Sequence, residues 1–108
     1  MKTSPMRLAL RAALATALLG AGGAAWSQDA TLARNLAATC ANCHGTDGRA
    51  VGDMKPLAGT PADKMLAMLA DYRSGAMPAT IMHQIVKGYT EAQLKLIASH
   101  FAAQKPKQ

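Results

Sequence analysis

Residues 36–48 read LAATCANCHGTDG, and the string CANCH at Cys40–His44 decides the fold. Upstream of it, Leu32, Ala33, Leu36 and Ala37 recur at helical spacing, and Asp29 stands where it can cap the helix they predict, about residues 29–40. Two cysteines three apart at a helix end put both sulfurs on one side, and the adjacent His44 presents its imidazole toward the same side. C-x-x-C-H reads as a c-type haem attachment site. The two thiols add to the vinyl groups of haem as thioethers, and a neutral imidazole is a good iron ligand. Cys40 and Cys43 are thus the candidate covalent attachment points, and His44 is a candidate axial ligand.

Three rival readings of the thiol pair are weaker. A thioredoxin-like redox pair needs a neighbouring strand–helix unit, and the alternation of apolar and polar residues that marks strands is absent. A structural zinc site needs four ligands, whereas the chain has two Cys, and His83 and His100 lie far along it. A plain disulfide would close a tiny loop and stabilise little.

Downstream of the motif, Gly45, Gly48, Gly52, Pro56 and Gly59 predict an irregular loop from about His44 to Gly59. A loop this long in so small a domain implies that it wraps something. A second helix is expected from Thr60 as N-cap, with Pro61 at its first position and Asp63 behind it, ending at Gly75. Met65, Leu66, Met68, Leu69 and Tyr72 form its apolar side. One or two helical turns follow around Ile81, Met82, Ile85 and Val86, stopped by Gly88. Thr90 then caps a last helix with Gln93 in capping-box position, and Leu94, Ile97, Ala98 and Phe101 line its inner face. The expected fold class is all-α.

The start of the chain has a different character. Lys2, Arg7 and Arg11 precede an apolar run to Ala25, closed by Ala24, Ala25 and Ser27. Basic, then apolar, then small is the order of a secretory signal peptide. The uninterrupted run after Arg11 is roughly 15 residues, short of the ~20 a spanning helix needs, so a leader is preferred to a retained anchor. The expected division is a signal peptide at residues 1–27, cleaved at Ser27–Gln28, and a single-haem domain at residues 28–108, placed in the periplasm with no membrane attachment after cleavage. Much of the formal charge of +6 belongs to the leader, which holds three of the twelve basic residues and none of the six acidic ones. No run of like charges remains in residues 28–108, and nucleic-acid binding has no support. That domain has Tyr72, Tyr89 and Phe101 as its aromatics and many Ala, so its own side chains make a thin core. A cofactor in the middle accounts for this.

An electron-transfer haem with both axial positions filled needs a sixth ligand. Met54, Met65, Met68, Met77, Met82, His83 and His100 are available. Met65 and Met68 read as core filler on a helix, and Met54 would have to cross the haem edge within a short loop. Met77 precedes Pro78 in an irregular stretch that suits a ligand loop. Met82 stands shortly before the capping Thr90 and is favoured, with Met77 the alternative. A thioether favours Fe(II) and raises the potential relative to a second His.

The strings LAATCANCHGTDG (36–48), PLAG (56–59) and ATIMHQIVKGYTEAQLKLIASHFAAQ (79–104) resemble the small class I cytochromes c. Within them the sequence is most similar to the cytochrome subunits of flavocytochrome c sulfide dehydrogenase. The resemblance implies helices wrapped around one haem c, with the first and last helices crossing beside it. It implies Met82 as the Met ligand when Thr90 is the anchor, and a loop carbonyl that orients the ligand His through its other ring nitrogen. It also implies one-electron transfer in the periplasm, from an FAD-containing sulfide dehydrogenase subunit to a soluble cytochrome. On this reading the chain is a non-catalytic subunit. A free-standing respiratory electron carrier is the alternative. His100, where related chains often have Tyr, is expected on the helix surface.

Overall fold

A computed structural model describes the backbone of residues 22–108 and the side chains of residues 29–108. Most of the expected leader lies outside the described residues. Among the described residues four α-helices form: α1 (Gly22–His44), α2 (Ala62–Ser74), α3 (Met82–Ile85) and α4 (Glu91–Ala102), with single 3-10 turns at Thr46–Gly48 and Val86–Gly88. No strand occurs among the described residues. None of these helices is long and apolar enough to cross a membrane.

Helix α1 is longer at both ends than the sequence pattern predicts. Asp29 lies inside it and is not its cap, because the preceding residues 22–28 contain no proline and continue the helix. At the other end the helix runs through CANCH to His44, and the Gly45 amide still donates to the Ala41 carbonyl at 3.0 Å. Cys40 and Cys43 are therefore three apart, and Cys40 and His44 four apart, on one helical face.

Helix α2 starts one residue later than expected. Pro61, with ψ 137°, is the capping residue and Thr60 is not. The Thr60 amide instead donates to Leu57 O at 3.1 Å, and the Pro61 carbonyl accepts the Met65 amide at 3.0 Å. Gly75, left-handed at φ 83°, closes the helix as expected. The capping box at the start of α4 is present in full: Thr90 Oγ1 accepts from the Gln93 amide at 3.2 Å, and Gln93 Oε1 accepts from the Thr90 amide at 2.8 Å.

Packing is dominated by α1 against α4, with α2 against α4 next. Ala33 and Ala37 on α1 and Ala98 on α4 are buried, so the two backbones approach closely where they cross. The core cluster is Ala37, Met65, Val86, Leu94, Ile97, Ala98 and Phe101. Phe101 and Val86 are its largest fully buried side chains.

The loop between α1 and α2 is irregular, as its glycines predict, but it is tied down. The Gly48 carbonyl accepts the amides of Leu57 at 2.9 Å and Ala58 at 3.1 Å, and the Gly59 amide donates to Phe101 O at 2.9 Å. Gly48 has φ +73°, and a Cβ there would lie 2.8 Å from both Ala58 N and Phe101 Cδ1. Only glycine meets both demands. Arg49 Nε donates to Lys105 O at 2.9 Å, which binds the loop to the chain beyond α4.

His100 corrects an expectation. Its side chain is 13% exposed rather than on the surface, with Nε2 3.7 Å from Asp47 Oδ1. Its ring meets Phe101 edge-on at 5.3 Å. The 3-10 turn at Thr46–Gly48, which the sequence pattern did not reveal, brings Asp47 to it.

Candidate functional site

The helices and the tied loop enclose a cavity of about 380 Å³. That volume falls in the ~300–1,000 Å³ range of small-molecule and cofactor sites. Its wall is mainly apolar, built from Leu57, Met65, Met68, Leu69, Ile97 and Phe101 among others, with Pro78–Met82 and Ile85 on the side of the α2–α3 connection. Cys40, Cys43 and His44 all line it. The last turn of α1 therefore presents the three residues of the motif to one space.

His44 is oriented by a hydrogen bond. Its Nδ1 lies 2.7 Å from the Lys55 carbonyl oxygen. A carbonyl can only accept, so Nδ1 carries the proton and donates, and Nε2 keeps its lone pair. This is how a metal-binding imidazole is commonly held in one tautomer and one ring orientation. The expected loop carbonyl is thus that of Lys55. A signal for it lies in the sequence: Lys55 precedes Pro56, and a residue before proline is held extended, outside any helix.

Before attachment, burial pushes the Cys40 thiol up from its ordinary pKa. Cys43 is exposed, at the edge of the site. Tyr89, also on the wall, donates from its hydroxyl to Thr39 Oγ1 at 3.1 Å, and Thr39 donates to Leu36 O at 3.1 Å. Sequence reasoning missed this link between the α3–α4 connection and α1.

The candidate sixth ligands separate by position. Met82 lines the cavity together with Met54, Met65 and Met68, and Met77 does not. His83 is not on the wall either, and its Nδ1 is buried without a hydrogen-bond partner. Met65 is part of the core cluster, and Met68 Sδ accepts from Lys55 Nζ at 3.3 Å. Met54 and Met82 are free of these packing roles: Met54 is 43% exposed in the loop after α1, and Met82 stands at the start of a short helix. Among the described residues, no group of three or more His, Cys, Asp or Glu is arranged to hold a metal ion by itself.

A thiol pair and an oriented imidazole on one helix face, opening into an apolar cavity with thioethers on its wall, define a small all-α protein that holds a haem. The chain belongs to the cytochrome c family, whose pattern it matches over residues 30–102. It is 35% identical over 66 residues to the cytochrome subunit of sulfide dehydrogenase from Chlorobaculum tepidum, a match covering 61% of this chain and 60% of that one. It is 31% identical over 71 residues to cytochrome c-553 of Desulfomicrobium norvegicum, covering 63% of this chain and 89% of that protein. The solved structure of Acidithiobacillus ferrooxidans cytochrome c4 superimposes with a TM-score of 0.59 at 28% identity, over 67% of this chain and 49% of that chain. The fold is that of the class I cytochromes c. The cofactor is covalently bound haem c, and Cys40 and Cys43 fit its C-x-x-C-H motif. The residues present fit the group: the cavity is apolar, of adequate size, and carries the donors at its wall.

Proposed function

We propose that residues 28–108 form a periplasmic electron-transfer domain with Cys40 and Cys43 as thioether attachment points and His44 and Met82 as the two axial ligands. The haem supplies one-electron iron redox chemistry; the chain supplies placement, shielding and tuning. The observation that carries the assignment is the shared cavity of His44 and Met82, with His44 fixed by the Lys55 carbonyl so that Nε2 is the free donor. With imidazole and thioether both engaged, no coordination position is left for a substrate, so the chain moves electrons and does not itself catalyse a reaction. The apolar wall keeps water from the redox centre. The edge at Cys43, exposed at the cavity rim, is the entry and exit for electrons.

The test is the visible spectrum of the full chain matured in a cytochrome c-competent periplasm. Reduced protein that does not bind carbon monoxide at neutral pH, and a Met82→Ala variant that does, support the ligand set. Carbon monoxide binding by the unaltered protein excludes it. Amino-terminal sequencing of the same material, beginning at Gln28, supports the leader and the exported location.

For the partner, the reading best supported is the cytochrome subunit that accepts electrons from the FAD subunit of a sulfide dehydrogenase and passes them to a soluble cytochrome. The similarity to the Chlorobaculum tepidum subunit supports it. So does the apolar rim of the cavity, where Ile81 is 52% and Ile85 37% exposed, as a lasting interface would require. The second reading is a free-standing carrier. The match to nearly all of cytochrome c-553 favours that one. Purification from the native host separates them: a stable complex containing FAD supports the subunit, and a lone coloured monomer supports the carrier.

A further inference from the structure

The segment that presents Met82 has little to hold it. Helix α3 has four residues and none of them is buried; in the 3-10 turn that follows, Val86 is buried and Lys87 and Gly88 are not. A helix this short has no stability of its own and takes its position from outside. Buried Val86, in the core cluster, is one outside support, and a guanidinium is the polar one. Arg73, in the last turn of α2, donates from Nη2 to the Val86 carbonyl at 3.1 Å and to the Tyr89 carbonyl at 2.7 Å. Its Nη1 reaches Glu91 Oε1, in the first turn of α4, at 3.3 Å. One side chain thus joins α2, the end of the Met82 segment and the start of α4. Val86 opens the 3-10 turn and Tyr89 follows it; the Val86 carbonyl also accepts the Tyr89 amide at 3.3 Å, so Arg73 adds a second, charged donor there.

We propose that Arg73 is a positioning residue for the thioether ligand: it fixes the carbonyl end of the Met82–Gly88 segment and so keeps Met82 at the cavity. The proposal rests on Met82 being the ligand. The two carbonyl bonds carry it, because Glu91 is 82% exposed and an exposed pair of this kind adds little. The planar fork of arginine serves both carbonyls at once, which a lysine ammonium at the same place does not. Loss of bonds from a charged donor makes displacement of the ligand roughly tenfold easier.

The test uses the haem-loaded ferric protein and its thioether–iron charge-transfer absorbance, with imidazole added as competitor. Arg73→Ala and Arg73→Gln should lose that absorbance at roughly tenfold lower imidazole than the unaltered protein. Arg73→Lys should fall between, and Glu91→Gln should follow the unaltered protein. Thermal melting is recorded alongside. If Arg73→Ala and Arg73→Gln melt earlier yet take up imidazole at the unaltered concentration, Arg73 has a general structural role and the proposal is overturned. It is also overturned if Glu91→Gln matches Arg73→Ala. Met82→Ala in the same titration identifies the other failure: an unaltered protein that shows no such absorbance and binds imidazole like Met82→Ala rules out the ligand assignment itself.

Discussion

Replacing Gly48 with alanine separates backbone strain from steric overlap, because a second glycine in the same loop supplies the control. Gly48 has φ +73° and Gly52 has φ +69°, so alanine meets nearly the same backbone cost at both. That cost is roughly 1–2 kcal/mol for a left-handed residue. The surroundings differ. A Cβ at Gly52 meets nothing within 4 Å, whereas at Gly48 it would lie 2.8 Å from Ala58 N and Phe101 Cδ1 and 2.9 Å from Leu57 Cβ. Two of those atoms belong to the strap that closes on the Gly48 carbonyl, and the third belongs to the most deeply packed aromatic ring. None of them is the free end of a flexible chain, so overpacking adds about 1–3 kcal/mol. Gly48→Ala should therefore destabilise by about 2–5 kcal/mol and Gly52→Ala by about 1–2 kcal/mol. In a domain of this size each kcal/mol is worth about 4–8 °C in melting temperature. The assay is thermal and guanidinium unfolding of both variants with haem attached. The Gly48 variant carries a second expected sign. Its carbonyl anchors the strand of loop that brings Lys55 O to His44, so the reduction potential should shift as well. Equal stabilities for the two variants would refute the reasoning, since the steric difference between them would then count for nothing.

Met82→Ala should abolish the ferric thioether absorbance, open the site to carbon monoxide and imidazole, and lower the reduction potential, as spectroelectrochemistry would read. Cys43→Ser should leave haem tethered by one bond or lost on acid–acetone extraction, measured as mass and colour retained by the chain. Phe101→Ala removes a fully buried ring that lines the cavity and should cost about 3–5 kcal/mol in guanidinium unfolding. Thr90→Ala breaks the capping box of α4 at the surface and should cost about 1 kcal/mol with an unchanged visible spectrum.

The parts of this molecule that could be read from sequence are those governed by neighbours in the chain. CANCH is local, and its chemistry needs only the spacing of three side chains on one helix turn. Thr90 and Gln93 form their capping box because both partners lie within four residues. The stop at Gly75 is local in the same way. What sequence reasoning missed depends on distant partners. His100 looks like a surface residue on its own helix, and it is drawn inward by Asp47, which reaches it from a turn beyond the haem motif. The carbonyl that orients His44 comes from Lys55, eleven positions on, across a loop whose path follows from its anchors at Gly48 and Gly59. Helix ends also shifted where the deciding factor lay outside the local pattern, as at Asp29.

The thinness of the core gives these placements a common cause. Among the described residues, Phe101 and Val86 are the largest side chains buried completely, and both adjoin the site: Phe101 lines the cavity, and Val86 anchors the segment that carries Met82. Leu57, Leu69 and Ile97 line the cavity as well as packing in or against the core cluster. A domain this small is marginal without added burial or a cofactor. A haem in the cavity would add apolar surface for these lining residues to bury. Function and fold are in this sense set by the same contacts. A change that loosens the Gly48 strap or the Arg73 clamp acts on stability and on iron ligation together, and the two are separated only by readouts that follow the ligand apart from the melt.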